Sequence, residues 1–253
     1  MDRMIFTALN ALHNMRDTRV VQAQNLANQN VPGFRADLPN EGSTSFLEAM
    51  GSETTRAFQL EMGKSGFSDE AGFLSPTGEA MDIAIADQGY FYIQPENGEP
   101  ALSRRGDLRQ GADGVLRDGA GNALLDTALA PIALPPHRSV TINEVGEIWI
   151  EPVGGAPGAT QLAATIATVI PDDTVRLSKS EDANIRNLDG DLPPPNQGGK
   201  VLQGVLEGSN VNTINELIMQ IDNQRSFEFG VQLVTTAKEL DEAGARLLRM
   251  PEG

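Results

Sequence analysis

Cysteine is absent from all 253 residues. That excludes disulfides, thiolate metal sites and cysteine nucleophiles, and it suits a chain that passes through an oxidising space without staples. Histidine is scarce, with only His13 and His137, so the usual general base and metal ligand is nearly missing. No apolar run approaches the roughly 18 residues that span a bilayer, and no membrane insertion is expected. The opening "MDRMIFTALNALHNMRD" has Asp2 early, Asn10 breaking its apolar stretch and no small-residue cleavage site. It does not read as a Sec-type signal, so the chain is expected to stay in the cytoplasm or to leave uncleaved. Basic residues are few as well, and the formal net charge is −16. Residues 1–35 carry +2, residues 209–253 carry −3, and the middle carries −15. An acidic middle argues against nucleic acid as a partner and for a soluble, self-repelling surface.

What is present is ordered by period. In residues 2–29, Ile5, Ala8, Leu9, Leu12, Met15, Ala23 and Leu26 form a narrow helical stripe of the kind that packs on another helix. Pro32 and Gly33 end it, because the residue before proline avoids helical angles and glycine accepts reversed ones. Near the other end a second helix is predicted from about Thr213 to about Leu248. Thr213 and Glu216 stand at capping-box spacing, and Ile214, Leu217, Ile221, Phe227, Val231, Val234, Leu240 and Leu247 recur along one face. Its length without a wide apolar face suggests a coiled coil. Between the ends the period falls to two. Strands are expected within 81–94, 98–126, 139–152, 162–170 and 175–180, separated by Asp-Gly and Gly-rich turns. "DLPPPNQGG" at 191–199 reads as a linker.

The expected fold class is therefore α+β: long N- and C-terminal helices packed as a coiled-coil-like domain, with a central all-β domain inserted between them. The expected segments are 1–36 (N-terminal helix), 37–80 (extended arm), 81–208 (β-domain) and 209–253 (C-terminal helix). Isolated helices of this kind are marginal in water, so each needs a partner.

Two motifs carry a family likeness. Near the start stands Gln24-Asn25-Leu26-Ala27-Asn28-Gln29-Asn30-Val31-Pro32-Gly33-Phe34. Toward the end stand Leu206-Glu207-Gly208-Ser209-Asn210-Val211-Asn212, then Gln224-Arg225-Ser226-Phe227-Glu228 and Thr235-Thr236-Ala237. In this order they resemble the signatures of the axial proteins of the bacterial flagellum: rod, hook and hook-associated proteins. Gln24 replaces the family's first asparagine. "MDIAIADQGYFYI" and "SRRGDLRQGADGVLRDGAGNALL" resemble the family's central stretches. Met1–Ala8 and Gly33–Ala36 look most like its proximal-rod branch, with the distal rod and the hook type as alternatives.

The resemblance implies a structural subunit that stacks in a helical lattice around an export channel and transmits motor torque. It implies other rod subunits and the type III export apparatus as partners, and a basal body spanning the periplasm as the location. No catalytic residue, cofactor, metal, small-molecule substrate or nucleic acid is expected. The terminal helices would order at assembly. The expected assembly interface comprises Ile5, Leu9, Leu12, Met15, Asn25, Leu26, Asn28, Pro32 and Gly33 from the first end. From the second it takes Asn210, Asn212, Ile214, Leu217, Ile221, Gln224, Arg225, Phe227, Val231 and Val234. Asn25 and Asn28 share a helical face and are assigned to fixing register, as buried asparagines do in coiled coils. The bland alternative makes them solvated cap residues.

Other signals read as structural. Asp113-Gly114 and Asp189-Gly190-Asp191 lack the EF-hand spacing and suit turns. Glu144, Glu147 and Glu151 imitate a glycosidase pair, but a hairpin's wet face explains them. Trp149 reads as a core or interface anchor. The competing class is a β-rich extracytoplasmic hydrolase with helical ends, which the sequence supplies with no Ser-His-Asp or zinc setting.

Overall fold

The computed structural model describes residues 2–39, 66–172, 174–180 and 182–248. Two helices stand at the ends: α1 (Asp2–Ala27) and α2 (Thr213–Leu248). Fifteen short strands lie between them: β1 (Leu74–Pro76), β2 (Ile83–Ile85), β3 (Tyr90–Gln94), β4 (Ala101–Ser103), β5 (Arg109–Gln110), β6 (Leu116–Arg117), β7 (Ala123–Leu124), β8 (His137–Ile142), β9 (Glu147–Pro152), β10 (Gln161–Thr165), β11 (Thr168–Val169), β12 (Leu177–Lys179), β13 (Ile185–Asn187), β14 (Val201–Gln203) and β15 (Val205–Glu207). Of the described residues, those within Met1–Ala27, Asp37–Gly66 and Asn212–Gly253 form one compact unit. Those within Asn28–Ala36 and Phe67–Val211 form the other.

The second unit is β-rich, and every pairing is antiparallel. The largest sheet runs β12-β13-β4-β3-β7-β6-β5, with β11 also on β3. A meander β10-β9-β8 and two pairs, β1 with β15 and β2 with β14, complete it. Alternation across these strands builds two apolar cores. One gathers Ile83, Ile85, Phe91, Ile93, Leu116, Ile148 and Val201; the other gathers Tyr90, Tyr92, Leu102, Leu125, Val169 and Ile185. The hairpin expected in 139–152 is present as β8–β9, turning at residues 143–146. The strands β1, β13, β14 and β15 were not expected. At three residues each, they are too short to show a period.

The expected fold class needs correction. The N-terminal helix is the shorter of the two and stops at Ala27, ahead of Pro32-Gly33. It forms no coiled coil with α2 along the predicted seam. Ile214 is 70% exposed, Ile221 54%, and Leu217 and Val231 44% each. The sheltered positions of α2 include Glu216, Asn223, Phe227, Gly230, Leu233, Val234 and Ala237, and of the predicted stripe they keep only Phe227 and Val234. The reason is steric. Small and polar residues let the helices approach, as where a Cβ on Gly230 would come 3.0 Å from Leu12 Cδ2. On α1 the polar Thr18, Gln22 and Asn25 are likewise sheltered, beside Leu12, Met15, Val21 and Leu26. The β-rich part is also not a plain insertion spanning 81–208, because its unit draws in residues 28–36 and 67–80.

Candidate assembly site

The helical unit is tied by polar groups at one end of α2. Asn212 caps the helix: its side-chain Oδ1 accepts the N–H groups of Ile214 and Asn215 at 3.1 Å, which serves donors left open at a helix start. The cap is thus one residue ahead of Thr213. Glu216 is buried and accepts a 2.9 Å hydrogen bond from Asn25 Nδ2. The same amide donates to Asp37 O at 2.9 Å, and Asn25 Oδ1 accepts the Asp37 N–H at 2.8 Å. Asn25 is only 2% exposed, so it is not a solvated cap residue. It braces α1, the chain leaving it and the first turn of α2. Farther along, Asn223 Nδ2 donates to Met15 O at 3.1 Å, and the Arg19 guanidinium lies 5.7 Å from the Phe227 ring centre.

In the β-rich unit the two sequence motifs meet. Gly33 has φ +64° and donates its N–H to Glu207 O at 2.8 Å. A Cβ there would lie 2.3 Å from the Arg104 carbonyl carbon, so both conformation and space require glycine. Phe34 is buried, its carbonyl accepts the Asn210 N–H at 3.2 Å, and Lys179 Nζ stands 3.7 Å from its ring centre. Lys179 also donates to Arg35 O at 2.8 Å. Asn210 accepts from the Ala36 N–H at 2.6 Å and donates to Ser68 O and Glu70 O.

Beneath this segment lies a buried charge triad. Glu207 Oε1 is 3.1 Å from Arg35 Nη2, and Glu207 Oε2 is 2.7 Å from Arg104 Nε, a charge contact without hydrogen-bond alignment. Arg104 further donates to Gly89 O at 2.9 Å and Asp87 O at 2.7 Å, and Gly72 N–H donates to Glu207 Oε1 at 2.9 Å. Burial pulls the Arg104 guanidinium below its usual range; Glu207 opposes that and Arg35 adds to it. Nearby Tyr90 donates its hydroxyl to Asp69 Oδ1. Burial first, then Asp69, pushes its phenol above the ordinary value.

The predicted interface residues divide accordingly. Asn25 and Met15 join bonds in the helical unit, and Gly33 and Asn210 join the motif knot. Leu12, Leu26, Asn28, Pro32, Phe227 and Val234 are half-buried. Asn212 is exposed and caps α2, while Gln224 and Arg225 are exposed along with Ile214, Leu217, Ile221 and Val231. Gln224 donates to Glu228 at 3.2 Å on the same helix. Ile5 and Leu9 lie on α1, among residues whose side chains are not described. Arg35, Asp37, Arg104, Lys179, Glu207 and Glu216 were not singled out. Glu207 stood inside the second motif and Arg104 inside "SRRG", but only the fold pairs them.

Glu147 accepts from Asn143 Nδ2 and Trp149 Nε1, and Glu151 contacts Arg138, so both are used within the hairpin. Asp113 pairs with Arg117 and Asp189 with Arg176. Among the described residues no helix is long and apolar enough to cross a membrane.

Two family models match the regions that carry these features. "Flagellar basal body rod FlgEFG protein C-terminal" covers residues 202–247, and "Flagellar hook protein FlgE/F/G D1 domain" covers residues 84–150. The chain is 26% identical to the flagellar basal-body rod protein FlgF of Salmonella typhimurium, over 99% of this chain and 100% of that one. The chain is thus similar, over nearly its whole length, to flagellar basal-body rod proteins. The likeness is to the FlgF type, which includes the Caulobacter vibrioides protein at 27% identity over 98% of both chains. The rod protein FlgG of Agrobacterium fabrum is 28% identical over 87% of this chain and 89% of its own. The rod-family C-terminal match begins at β14 and takes in Glu207, Asn210 and α2, so one partner of each tie falls inside it.

Proposed function

We propose that this protein is a structural subunit of the flagellar basal-body rod, in the proximal part, and that it polymerises with itself and neighbouring axial subunits around the export channel. It transmits torque rather than catalysing a reaction. It reaches the periplasm through the type III export apparatus with no signal peptide removed. Near-full-length likeness to FlgF rod proteins supports this reading. The observation that carries the mechanism is the row of uncovered aliphatics on α2, Ile214, Leu217, Ile218, Ile221, Val231 and Leu240, each at least 44% exposed. Apolar surface on that scale is characteristic of a face that meets another protein. Asn25, buried within its own chain, sets the start of α2 and so the angle at which this row is presented.

Leu217→Asp tests this. It should leave the monomer's circular dichroism unchanged and abolish concentration-dependent filament formation. Filaments of wild-type extent from that variant would remove α2 from the interface. Release of muropeptides from peptidoglycan by the purified wild-type chain would favour the hydrolase instead.

A further inference from the structure

Four places in the chain set a side-chain carbonyl one residue ahead of a glycine: Asn97-Gly98, Asp113-Gly114, Asp118-Gly119 and Asp189-Gly190. At each, the glycine nitrogen is placed by covalent structure to close a five-membered imide ring on the preceding side chain, and glycine has no Cβ to hinder the approach. The fold blocks three of them. Asp113 accepts the Val115 N–H at 3.2 Å and pairs with Arg117 at 2.7 Å, while the Gly114 N–H donates to Gly111 O at 2.9 Å. Asp118 is buried, and its carboxylate accepts the Ala120 N–H, the Asn122 N–H and Asn122 Nδ2, each at 2.9 Å. The Gly119 N–H donates to Asp107 Oδ1 at 3.4 Å. Asp189 is held by Arg176, with Nε at 2.7 Å. An ionised, paired carboxylate is moreover a poor electrophile, whereas a neutral carboxamide is a good one.

Asn97-Gly98 is the exception. It stands in the connection between β3 and β4, with both residues exposed. Among the described residues neither the Asn97 carboxamide nor the Gly98 N–H makes a hydrogen bond. The connection is braced around them instead. Gln94 Nε2 donates to Pro95 O at 3.3 Å and to Gly98 O at 2.7 Å, and Arg186 Nη2 donates to Glu99 O at 3.3 Å. Among the described residues a Cβ added to Gly98 would meet only Arg186 Nη2, at 3.6 Å. The nucleophile and the electrophile are thus the two groups that the bracing leaves unengaged, adjacent to each other and open to water.

We propose that Asn97-Gly98 is a self-modifying site, at which the chain passes from a neutral to an acidic form without an enzyme. The deprotonated Gly98 nitrogen attacks Asn97 Cγ. A new C–N bond closes the succinimide, the carboxamide C–N bond breaks, and the displaced nitrogen leaves as ammonia, taking up the proton that Gly98 lost. Water, the only co-reactant, then opens the ring. Opening at the side-chain carbonyl gives aspartate; opening at the main-chain carbonyl gives isoaspartate, whose main chain is one carbon longer. Either product adds a negative charge between Glu96 and Glu99. Isoaspartate also lengthens a connection whose two ends are fixed by the pairs Phe91–Ser103 and Ile93–Ala101. The inference is independent of the rod reading.

The test incubates the full chain at neutral and at mildly alkaline pH and maps its peptides by mass spectrometry. The peptide that spans residues 95–100 should change from carboxamide to carboxylate at least tenfold faster than any other asparagine of the chain. The rate should rise with pH, and isoaspartate should exceed aspartate in the product. Asn97→Gln has to close a larger ring and should slow the reaction at least tenfold with the circular dichroism unchanged. In urea the three aspartate–glycine pairs should gain isoaspartate faster than in the folded chain. Asparagines elsewhere reacting as fast as Asn97, or aspartate forming there without isoaspartate, would overturn the site. Isoaspartate at Asp113, Asp118 or Asp189 that forms no faster in urea would overturn the claim that the fold selects it.

Discussion

Gly33 shows how much one residue can decide. Its positive φ and its fit against the Arg104 carbonyl are separate demands, and alanine meets neither. Gly33→Ala should lower stability by more than about 1–3 kcal/mol, the usual cost of a strained backbone position, because the clash adds to it, and the midpoint of urea unfolding checks it. By contrast Gly121 and Gly154 also have positive φ but meet nothing within 4 Å of an added Cβ. Alanine there meets only the conformational cost. Proline followed by glycine was legible as a stop signal. The Arg104 backbone on the other side of the slot was not, because the partner lies some seventy residues away and nothing local announces it.

At the scale of elements, α2 was readable to its ends, and the hairpin β8–β9 to its turn, because long periodic segments and short Gly-containing loops leave local traces. The face that α2 shelters was misread. Ile214, Leu217, Ile221 and Val231 are exposed, whereas Gly230, Ala237, Asn223 and Glu216 lie on the covered side with Phe227 and Val234. Hydrophobicity alone ranks Ile221 above Gly230; closeness of approach reverses the order. Asn25 tests the observed packing. Asn25→Ala leaves buried Glu216 and the Asp37 backbone without their partner, and should destabilise the helical unit by about 2–3 kcal/mol. Far-ultraviolet circular dichroism during denaturation measures this.

The turn between β12 and β13 makes a pH prediction. Hydrogen bonds from Arg186 and Asn184 hold the Asp182 carboxyl down from 3.8 to about 2, against a smaller opposing effect of burial. A depressed carboxyl stabilises the fold fully above its unfolded value and loses that contribution as pH falls through the folded one. The effect therefore sits between about pH 4 and pH 2. The wild-type melting temperature should fall more steeply across that window than that of Asp182→Asn. Equal slopes would show that the pair contributes nothing.

For the whole molecule the governing fact is charge. The −15 carried by residues 36–208 makes like surfaces repel when copies approach, and salt screens exposed charge over about 10 Å at 0.1 M. Self-association should therefore strengthen from 0.05 M to 0.5 M sodium chloride, as read by light scattering. A decrease would mean that ion pairs rather than apolar contacts join the copies. Composition revealed this term completely. It did not reveal that the described chain divides into two units, since residues 28–36 lie beside α1 in sequence and yet belong with the strands.

The Asn210–Ala36 bond spans 174 positions, and that distance has a consequence in time. Until the ribosome has released residue 210, the stretch at 33–36 has no permanent resting place, however early it was made. Closing so long a loop is slow by its nature. The seating of residues 33–36 on Glu207 and Asn210 is therefore among the last contacts that synthesis makes possible.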